Sequence, residues 1–544
     1  MAGLTATIWL LLAPSVLKAG DVISAVGSSS EGDRFRTIES RFKGSIIDSI
    51  EIDNRNIYDL QDRRYKGFLF RAADHLHIVT KQQIVRQELL FSVGDKFDPE
   101  LVAETARNLR TRFPFNDAWI ETKQIGPGRV LVRVVTIDQW SLVGGLRSIN
   151  REGQETDMRI GFDERNLLGR AQFFSFDVYL REKHPDYMQV AYNEPRLLGK
   201  RWAVGLTYRS DPHNTLKQFE LSRPYYSLAQ RLDLYLHVQN VVVLNRFVGS
   251  DGAVQAEWMS HGDQVAMHAG LRYGPPRRKM AVFGDYRYVS LRIRDTARYA
   301  AGYADNAFPA DSTYHFFSLG SSYQRLNFIV EKRLRGFGYA EDVTLGATVG
   351  LAYGRAFLPD FKSYYYDLLR AELAWSGKRG SNLLNVVYSR SYWYKYSREL
   401  RRHSVLDLIW YNNRLTFLTL AMKSHFESDR GGVFQRLVLG GKSGLRGYPT
   451  EFSSGDRLHV INFEGRFFTG LELLSVKLGA ALLADVGRAW KLSEPLNIRG
   501  YHWSLGAGLR FSLENLLRGE IIRADLARTE DGFWELSMGA GLYF

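Results

Sequence analysis

A chain of 544 residues without a single cysteine excludes a disulfide framework, thiolate-held zinc, thiol catalysis and lipid attachment through cysteine. Its formal charge of +13 is dispersed rather than gathered with aromatics on one helix, so no nucleic-acid partner is expected. With 49 glycines, 29 tyrosines, 14 prolines and no uncharged apolar run of ~18 to 20 residues after the N-terminal stretch, the composition excludes a helical membrane protein but not a β-barrel, whose strands hide hydrophobicity by alternation.

Ala6 to Leu17 form an apolar stretch followed by Lys18-Ala19-Gly20. It is too short to span a bilayer and reads as a secretory signal over residues 1–19, with Ala19 before the cut. Residues 20–44, with their Gly-Ser-Ser-Ser-Glu-Gly run, read as a flexible lead-in.

Residues 45–138 read as a small α/β domain. Ser45 to Ile52 is strand-like, and Thr80 to Phe91 carries apolar residues at helical spacing. After a break at Gly94-Asp95, Asp98 is a good N-cap with Pro99 at the first helical position and Leu101, Thr105 and Leu109 on one stripe. Two further strand-like runs, Ala118 to Lys123 and Val130 to Ile137, flank a Gly126-Pro127-Gly128 turn. The expected order is therefore β-α-α-β-β. The run from Leu76 to Thr80, the helix, the Gly-Asp turn and Leu109-Arg110 resemble the POTRA domain, the periplasmic module in front of outer-membrane assembly barrels. That resemblance implies an exposed strand edge on which extended clients can add a strand.

From residue 139 to 544 the chain alternates. Trp503 to Phe511 places apolar residues at odd positions and small or charged ones at even positions. Val476 to Val486 puts Val476, Leu478, Ala480, Leu482 and Ala484 on one face, with Lys477, Gly479, Ala481 and Asp485 on the other. Tyr364-Tyr365-Tyr366 and Tyr392-Trp393-Tyr394 suit an interfacial aromatic girdle. Trp534 to Phe544 keeps period two to the last residue. A soluble β-sandwich alternates too, but some 406 residues of strands behind an export signal favour a transmembrane antiparallel β-barrel. About 20 strands can be marked, some of them reading as halves of one long strand, and the count should be even.

One long irregular segment, about residues 427–456, contains Leu439-Gly440-Gly441-Lys442-Ser443-Gly444-Leu445-Arg446-Gly447-Tyr448. A phosphate-binding Walker loop would need glycine where Arg436 stands, and a nucleophile elbow would need glycine at Leu445, so neither enzyme motif is present. The twelve histidines read as scattered, no metal-ligand spacing appears, and neither catalytic residues nor a cofactor is expected.

Gly444, Leu445, Arg446, Gly447 and Tyr448 resemble the loop signature of the BamA/TamA-like outer-membrane assembly factors, the bacterial surface antigen family. Asp163 to Arg170 with its Asn-Leu-Leu-Gly, Glu341-Asp342-Val343, Phe463 to Arg466 and Asp485 to Trp490 agree in order. The resemblance, from about residue 45 onward, implies 16 strands and a loop folded into the lumen, with Arg446 paired to Asp485 and to Glu464. Strand parity fits, since Glu464 shares a face with Asn462 and Arg466, and a guanidinium can bridge carboxylates through a fork that Lys lacks. Trp534, Leu542 and Phe544 would form the C-terminal assembly signal.

The resemblance also implies a non-enzymatic protein of the bacterial outer membrane with its α/β domain in the periplasm. Its partners would be outer-membrane lipids, unfolded β-barrel or secreted clients and periplasmic or lipoprotein partners. It would assist insertion, assembly or translocation through a seam between about Trp140–Ser148 and Trp534–Tyr543. A dedicated export pore of the two-partner secretion type is the alternative, and a passive porin a lesser one. A single POTRA-like module departs from the multi-module assembly factors.

Overall fold

The computed structural model describes residues 40–151, 154–181, 186–211, 214–248, 254–299, 311–431, 437–449, 452–473, 475–495, 497–513, 521–542 and 544. The expected signal segment and most of the lead-in lie outside the described residues.

The α/β domain opens with β1 (Ile46–Arg55), continues through helices α1 (Phe68–Leu76), α2 (Gln82–Glu88) and α3 (Pro99–Arg112), and closes with the hairpin β2 (Phe115–Gly126) and β3 (Arg129–Asp138). Its sheet order is β1-β3-β2, with β1 parallel to β3 and β2 antiparallel to it. Asp98 caps α3 by accepting from the Glu100 amide at 2.9 Å. Of the expected stripe, Thr105 and Leu109 are fully buried and Leu101 is half-buried, and Val102 and Ala106 widen the face that packs with Ile47, Val85, Phe97, Phe115, Val130 and Val132. Phe42 belongs to this core, so the domain begins before residue 45. Helix α1 departs from the expected two-helix order. It covers no buried residue of its own, so helical spacing around a core does not reveal it.

Twenty antiparallel strands then close into a barrel, four more than the sixteen expected. They are β4 (Leu142–Arg151), β5 (Gln154–Glu164), β6 (Phe173–Arg181), β7 (Tyr187–Glu194), β8 (Ala203–Arg209), β9 (Leu216–Arg223), β10 (Leu232–Val248), β11 (Val254–Tyr273), β12 (Arg278–Tyr299), β13 (Ser312–Lys332), β14 (Ala340–Phe357), β15 (Tyr364–Arg379), β16 (Asn382–Lys395), β17 (Arg398–Leu415) and β18 (Leu418–Arg430). After two short loop strands, β19 (Leu437–Leu439) and β20 (Ser453–Gly455), the wall resumes with β21 (Arg457–Leu473), β22 (Val476–Trp490), β23 (His502–Ser512), β24 (Ile521–Thr529) and β25 (Trp534–Ala540). β25 lies beside β4, which closes the sheet. The surplus arises because candidate runs that could be halves of one interrupted strand are separate strands joined by their own turns.

Alternation orients the wall. Leu319, Leu351, Leu482, Leu505, Leu509, Leu536 and Met538 are exposed outward, forming the apolar belt of a transmembrane barrel. Their sequence neighbours Ser504, Arg510, Ala481 and Leu483 are buried on the lumenal side, as is Asp485 two positions beyond Leu483. Two girdle assignments turn inward instead: Tyr366 is buried with Tyr314, Phe316 and Ala356, and Trp393 packs against that cluster. The loop between β18 and β21 begins at Gly431, because β18 runs on through Glu427 to Arg430.

The α/β domain sits against the short-turn end. Asp138, the last residue of β3, accepts from the Thr80 amide (2.7 Å), Thr80 Oγ1 (3.0 Å) and His77 Nε2 (3.0 Å), and Asn166 in the first short turn donates to Thr80 Oγ1 and to the Ile78 carbonyl, both at 3.0 Å. This buried network joins domain and barrel where the chain crosses between them. Further round the rim, Glu88 pairs with Arg196, Asn108 donates to the Tyr226 carbonyl at 2.8 Å, and Arg110 grips Asp342 with two hydrogen bonds of 3.0 and 2.9 Å.

Candidate functional site

The loop between β18 and β21 is a hairpin, held by the β19–β20 ladder and stitched to β22 where the Asp456 amide donates to the Trp490 carbonyl at 2.9 Å. At its tip the Gly441 amide donates to the Tyr448 carbonyl at 2.9 Å and the Leu445 amide to the Gly440 carbonyl at 3.0 Å. Gly444 (φ +115°) and Gly447 (φ +88°) take left-handed backbone that side chains rarely adopt. Between them stand Leu445 and Arg446, both fully buried. Leu445 and Tyr448 pack with Leu439, Leu458 and Val460, and the Tyr448 hydroxyl donates to the Trp503 carbonyl at 3.0 Å. The tip is thus driven against the wall by apolar contact on both sides of the arginine.

The structure brings the predicted residues together. Arg446 meets Asp485 as a fork, Nε to Oδ2 at 2.6 Å and Nη2 to Oδ1 at 2.7 Å, while Nη1 donates to Glu464 Oε1 at 2.6 Å. Its own amide also donates to Asp485 Oδ2 at 3.2 Å. Asn462 donates to Asp485 (2.7 Å) and to the Gly444 carbonyl (2.6 Å), tying carboxylate and loop backbone to one amide. Charges this deep cost several kcal/mol each to desolvate, about 3 to 5 kcal/mol being lost when one partner of such a pair is removed, so the arrangement persists only because every lobe of the fork is used.

The site is larger than the motif. Glu464 Oε2 accepts from Arg466 Nε at 2.8 Å, Arg510 pairs with Asp525, and Arg523 Nη1 donates to Asp525 Oδ2 at 2.7 Å. Arg446, Arg466, Arg510 and Arg523 therefore share Glu464, Asp485 and Asp525 in one interior network. Arg510 and Asp525 were legible by parity alone, since each alternates with outward leucines, but no motif singles them out.

Arg466 carries the network toward the short-turn end. Its Nη1 donates to the Leu334 carbonyl at 2.8 Å, and its Nη2 to the Phe544 carbonyl at 3.0 Å. Leu334 belongs to the β13–β14 turn, residues 333–339, which folds inward around Glu341. That carboxylate accepts from the amides of Leu334 (2.9 Å), Arg335 (2.7 Å) and Gly336 (3.1 Å). The turn reaches across the lumen to β21, five strands round the barrel from β14, where Phe337 meets Phe468 edge-on at 5.2 Å. Gly479 makes that approach possible, for a Cβ there would lie 2.4 Å from the Phe337 ring. Next to Glu341 is Asp342, the partner of Arg110 on α3. A continuous chain of polar contacts therefore runs from the α/β domain through the inward turn to the loop tip.

The C-terminal residues divide. Trp534 is exposed on the belt, but β25 ends at Ala540, the backbone turns at Gly541 (φ +82°), and Phe544 packs inside with Leu334 and Tyr411 rather than continuing the outward alternation. Leu542 follows that turn, outside the strand. The histidines are not all scattered either. On β17 and β18, His403 and His425 share Glu427 at 2.7 and 3.4 Å, and His425 reaches Asp407 at 2.8 Å. Sequence spacing hides this group because the strands pair it across a hairpin.

No protein-family model matches the sequence, and no curated protein matches it. Among solved structures the chain is similar to CdiB from Acinetobacter baumannii, at 12% identity and a TM-score of 0.43 over 92% of this chain and 74% of that one. CdiB from Escherichia coli gives 13% and 0.43 over 92% and 75%. The crystal structure of BamA from Haemophilus ducreyi lacking POTRA domains 1-3 gives 10% and 0.37 over 91% and 84%. It is the closed sheet of this chain, rather than these likenesses, that defines its fold.

Proposed function

We propose that this protein assists the insertion, assembly or translocation of client proteins at the bacterial outer membrane, without catalytic residues, and that the α/β domain is a POTRA-like periplasmic module. The observation that carries the reading is the Arg446 clamp. A barrel built for passive diffusion has no use for a loop fastened by a fully buried guanidinium to the middle of its wall, whereas a gated one does. The docked α/β domain and the inward β13–β14 turn support the same reading from the other end. In it, a client first meets the α/β domain, whose engagement loosens the short-turn end, and is then inserted or passed as the interior network rearranges. Burial of a client's apolar belt supplies the driving force. Residues 1–19 serve as the export signal, and Trp534, Leu542 and Phe544 as the chain's own assembly signal.

A dedicated export pore is the second reading, and the twenty-strand girth favours it, because barrel diameter grows roughly in proportion to strand number. One experiment separates the two. The purified protein is reconstituted in liposomes with a urea-unfolded outer-membrane barrel, and client folding is followed by protease protection, with Arg446→Ala alongside. Acceleration that is lost in the variant supports assembly. Absence of acceleration together with strong ion conductance supports the pore.

A further inference from the structure

Helix α1 is inserted between β1 and the two helices that pack on the sheet, and its two faces differ in character. One face is anchored: Phe70 meets Tyr58 and Tyr65 at 4.9 and 5.3 Å between ring centres, and Asp74 accepts from the Tyr58 amide at 3.2 Å. The other face presents Phe68, Leu69, Ala72 and Leu76, which fall within about a 100° arc at 100° per residue. Phe68 is 81% exposed, Leu69 61% and Leu76 72%. Such a stripe on a helix normally seeks a core, and among the described residues this one has none.

Its surroundings indicate what covers it. Exposed basic side chains Arg63, Arg64, Lys66 and Arg71 border the stripe. Tyr65, just before α1, reaches Glu472 at 3.4 Å on the β21–β22 hairpin end, whose Leu471 and Leu473 are also exposed. At the other end of α1, His77 lies 6.4 Å ring to ring from Trp140, beside the start of β4. The helix therefore runs along the short-turn rim between the β21–β22 hairpin and the first strand, level with the exposed Leu471 and Leu473 of that hairpin. Apolar residues flanked by Lys and Arg at that level match an interfacial helix, which buries its apolar face among acyl chains and attracts anionic headgroups.

We infer that α1 is a membrane-surface anchor, with Phe68, Leu69 and Leu76 inserted into the bilayer at the short-turn rim and Arg63, Arg64, Lys66 and Arg71 held by anionic phospholipid headgroups. The inference rests on the barrel spanning a bilayer and is independent of the client. It gives the α/β domain a second hold besides the rim contacts, directly below the strands that close the barrel.

The absence of cysteine makes the test direct. Leu69→Cys and, at the distal β2–β3 hairpin, Ile125→Cys are each labelled in the full chain with an environment-sensitive fluorophore. The labelled proteins are reconstituted in phosphatidylcholine vesicles with and without phosphatidylglycerol, each containing spin-labelled lipid. Quenching several-fold stronger at residue 69 than at 125, increased by phosphatidylglycerol and reduced by Arg63→Glu, Lys66→Glu and Arg71→Glu combined, is the expected result. Equal quenching at the two positions overturns the inference. So does protection of residue 69 in native membranes but not in vesicles, which would assign the stripe to a protein partner.

Discussion

Glu464 and Arg466 stand two positions apart on the lumenal face of β21, and their 2.8 Å ion pair is where the loop from one end of the barrel meets the turn from the other. Glu464 also holds Arg446, and Arg466 also holds the Leu334 carbonyl. With all of these groups buried, moving either plug leaves the other with an unmatched charge or dipole, so the two are energetically coupled through one strand.

Replacing Arg446 with alanine takes the forked cation from Asp485 and leaves Glu464 only Arg466 and Arg510, and is expected to cost about 3 to 5 kcal/mol. Arg446→Lys retains the charge but cannot reproduce the two-pronged contact with Asp485, so its loss should be smaller yet clear. Thermal unfolding in detergent ranks the three proteins. Equal midpoints for wild type and Arg446→Ala would sink the clamp.

Arg466→Met separates the two ends. Glu464 keeps Arg446 and, at 3.4 Å, Arg510, so the loop should stay in place. The β13–β14 turn loses its donor to Leu334, and planar-bilayer conductance should rise while protection of the loop from protease does not change. Conductance like that of the wild type would show that the turn is held by Glu341 and Phe337 alone.

The two glycines flanking the clamp should differ. A Cβ at Gly444 would lie 2.7 Å from Val460 Cγ1, whereas at Gly447 the nearest atoms are the Ala527 and Thr529 methyl carbons at 3.3 Å. Both alanine substitutions pay for left-handed backbone, about 1 to 2 kcal/mol each. Only Gly444→Ala adds a hard contact with a fully buried wall residue. Its unfolding midpoint should therefore fall further than that of Gly447→Ala, and the reverse order would show that the Val460 side yields more easily than the Thr529 side.

How legible was this architecture? Alternation in Val476–Val486 and Trp503–Phe511 identifies lumenal and outward faces correctly, because a closed wall leaves each residue only two environments. The Arg446, Asp485 and Glu464 contact was legible from motif and parity together. Arg110 with Asp342 was not, for nothing local to either residue reports a partner more than two hundred positions away. Helix α1 escaped because its stripe faces away from the core. The Leu-Leu-Gly of the first short turn recurs at Leu197–Gly199 with the same left-handed middle residue, φ 54° at both Leu168 and Leu198, and that repeat was a readable sign of two equivalent turns docking on one domain.

Docking of the α/β domain should respond to pH through Glu104. This α3 carboxylate accepts from the Leu228 amide in the β9–β10 turn, and burial raises its pKa above the usual carboxyl value. Released into water, the group would return toward that usual value. The docked form thus binds the proton more tightly, and linkage makes docking strongest below the usual carboxyl pKa and progressively weaker as pH rises from there through the raised one. Spin labels at Lys123→Cys on the domain and Met280→Cys on the belt report the docked population as a distance. Acidification from neutral pH should sharpen the short-distance peak, and Glu104→Gln, neutral throughout, should flatten the response. A docked population that falls on acidification in the wild type would overturn this role for Glu104.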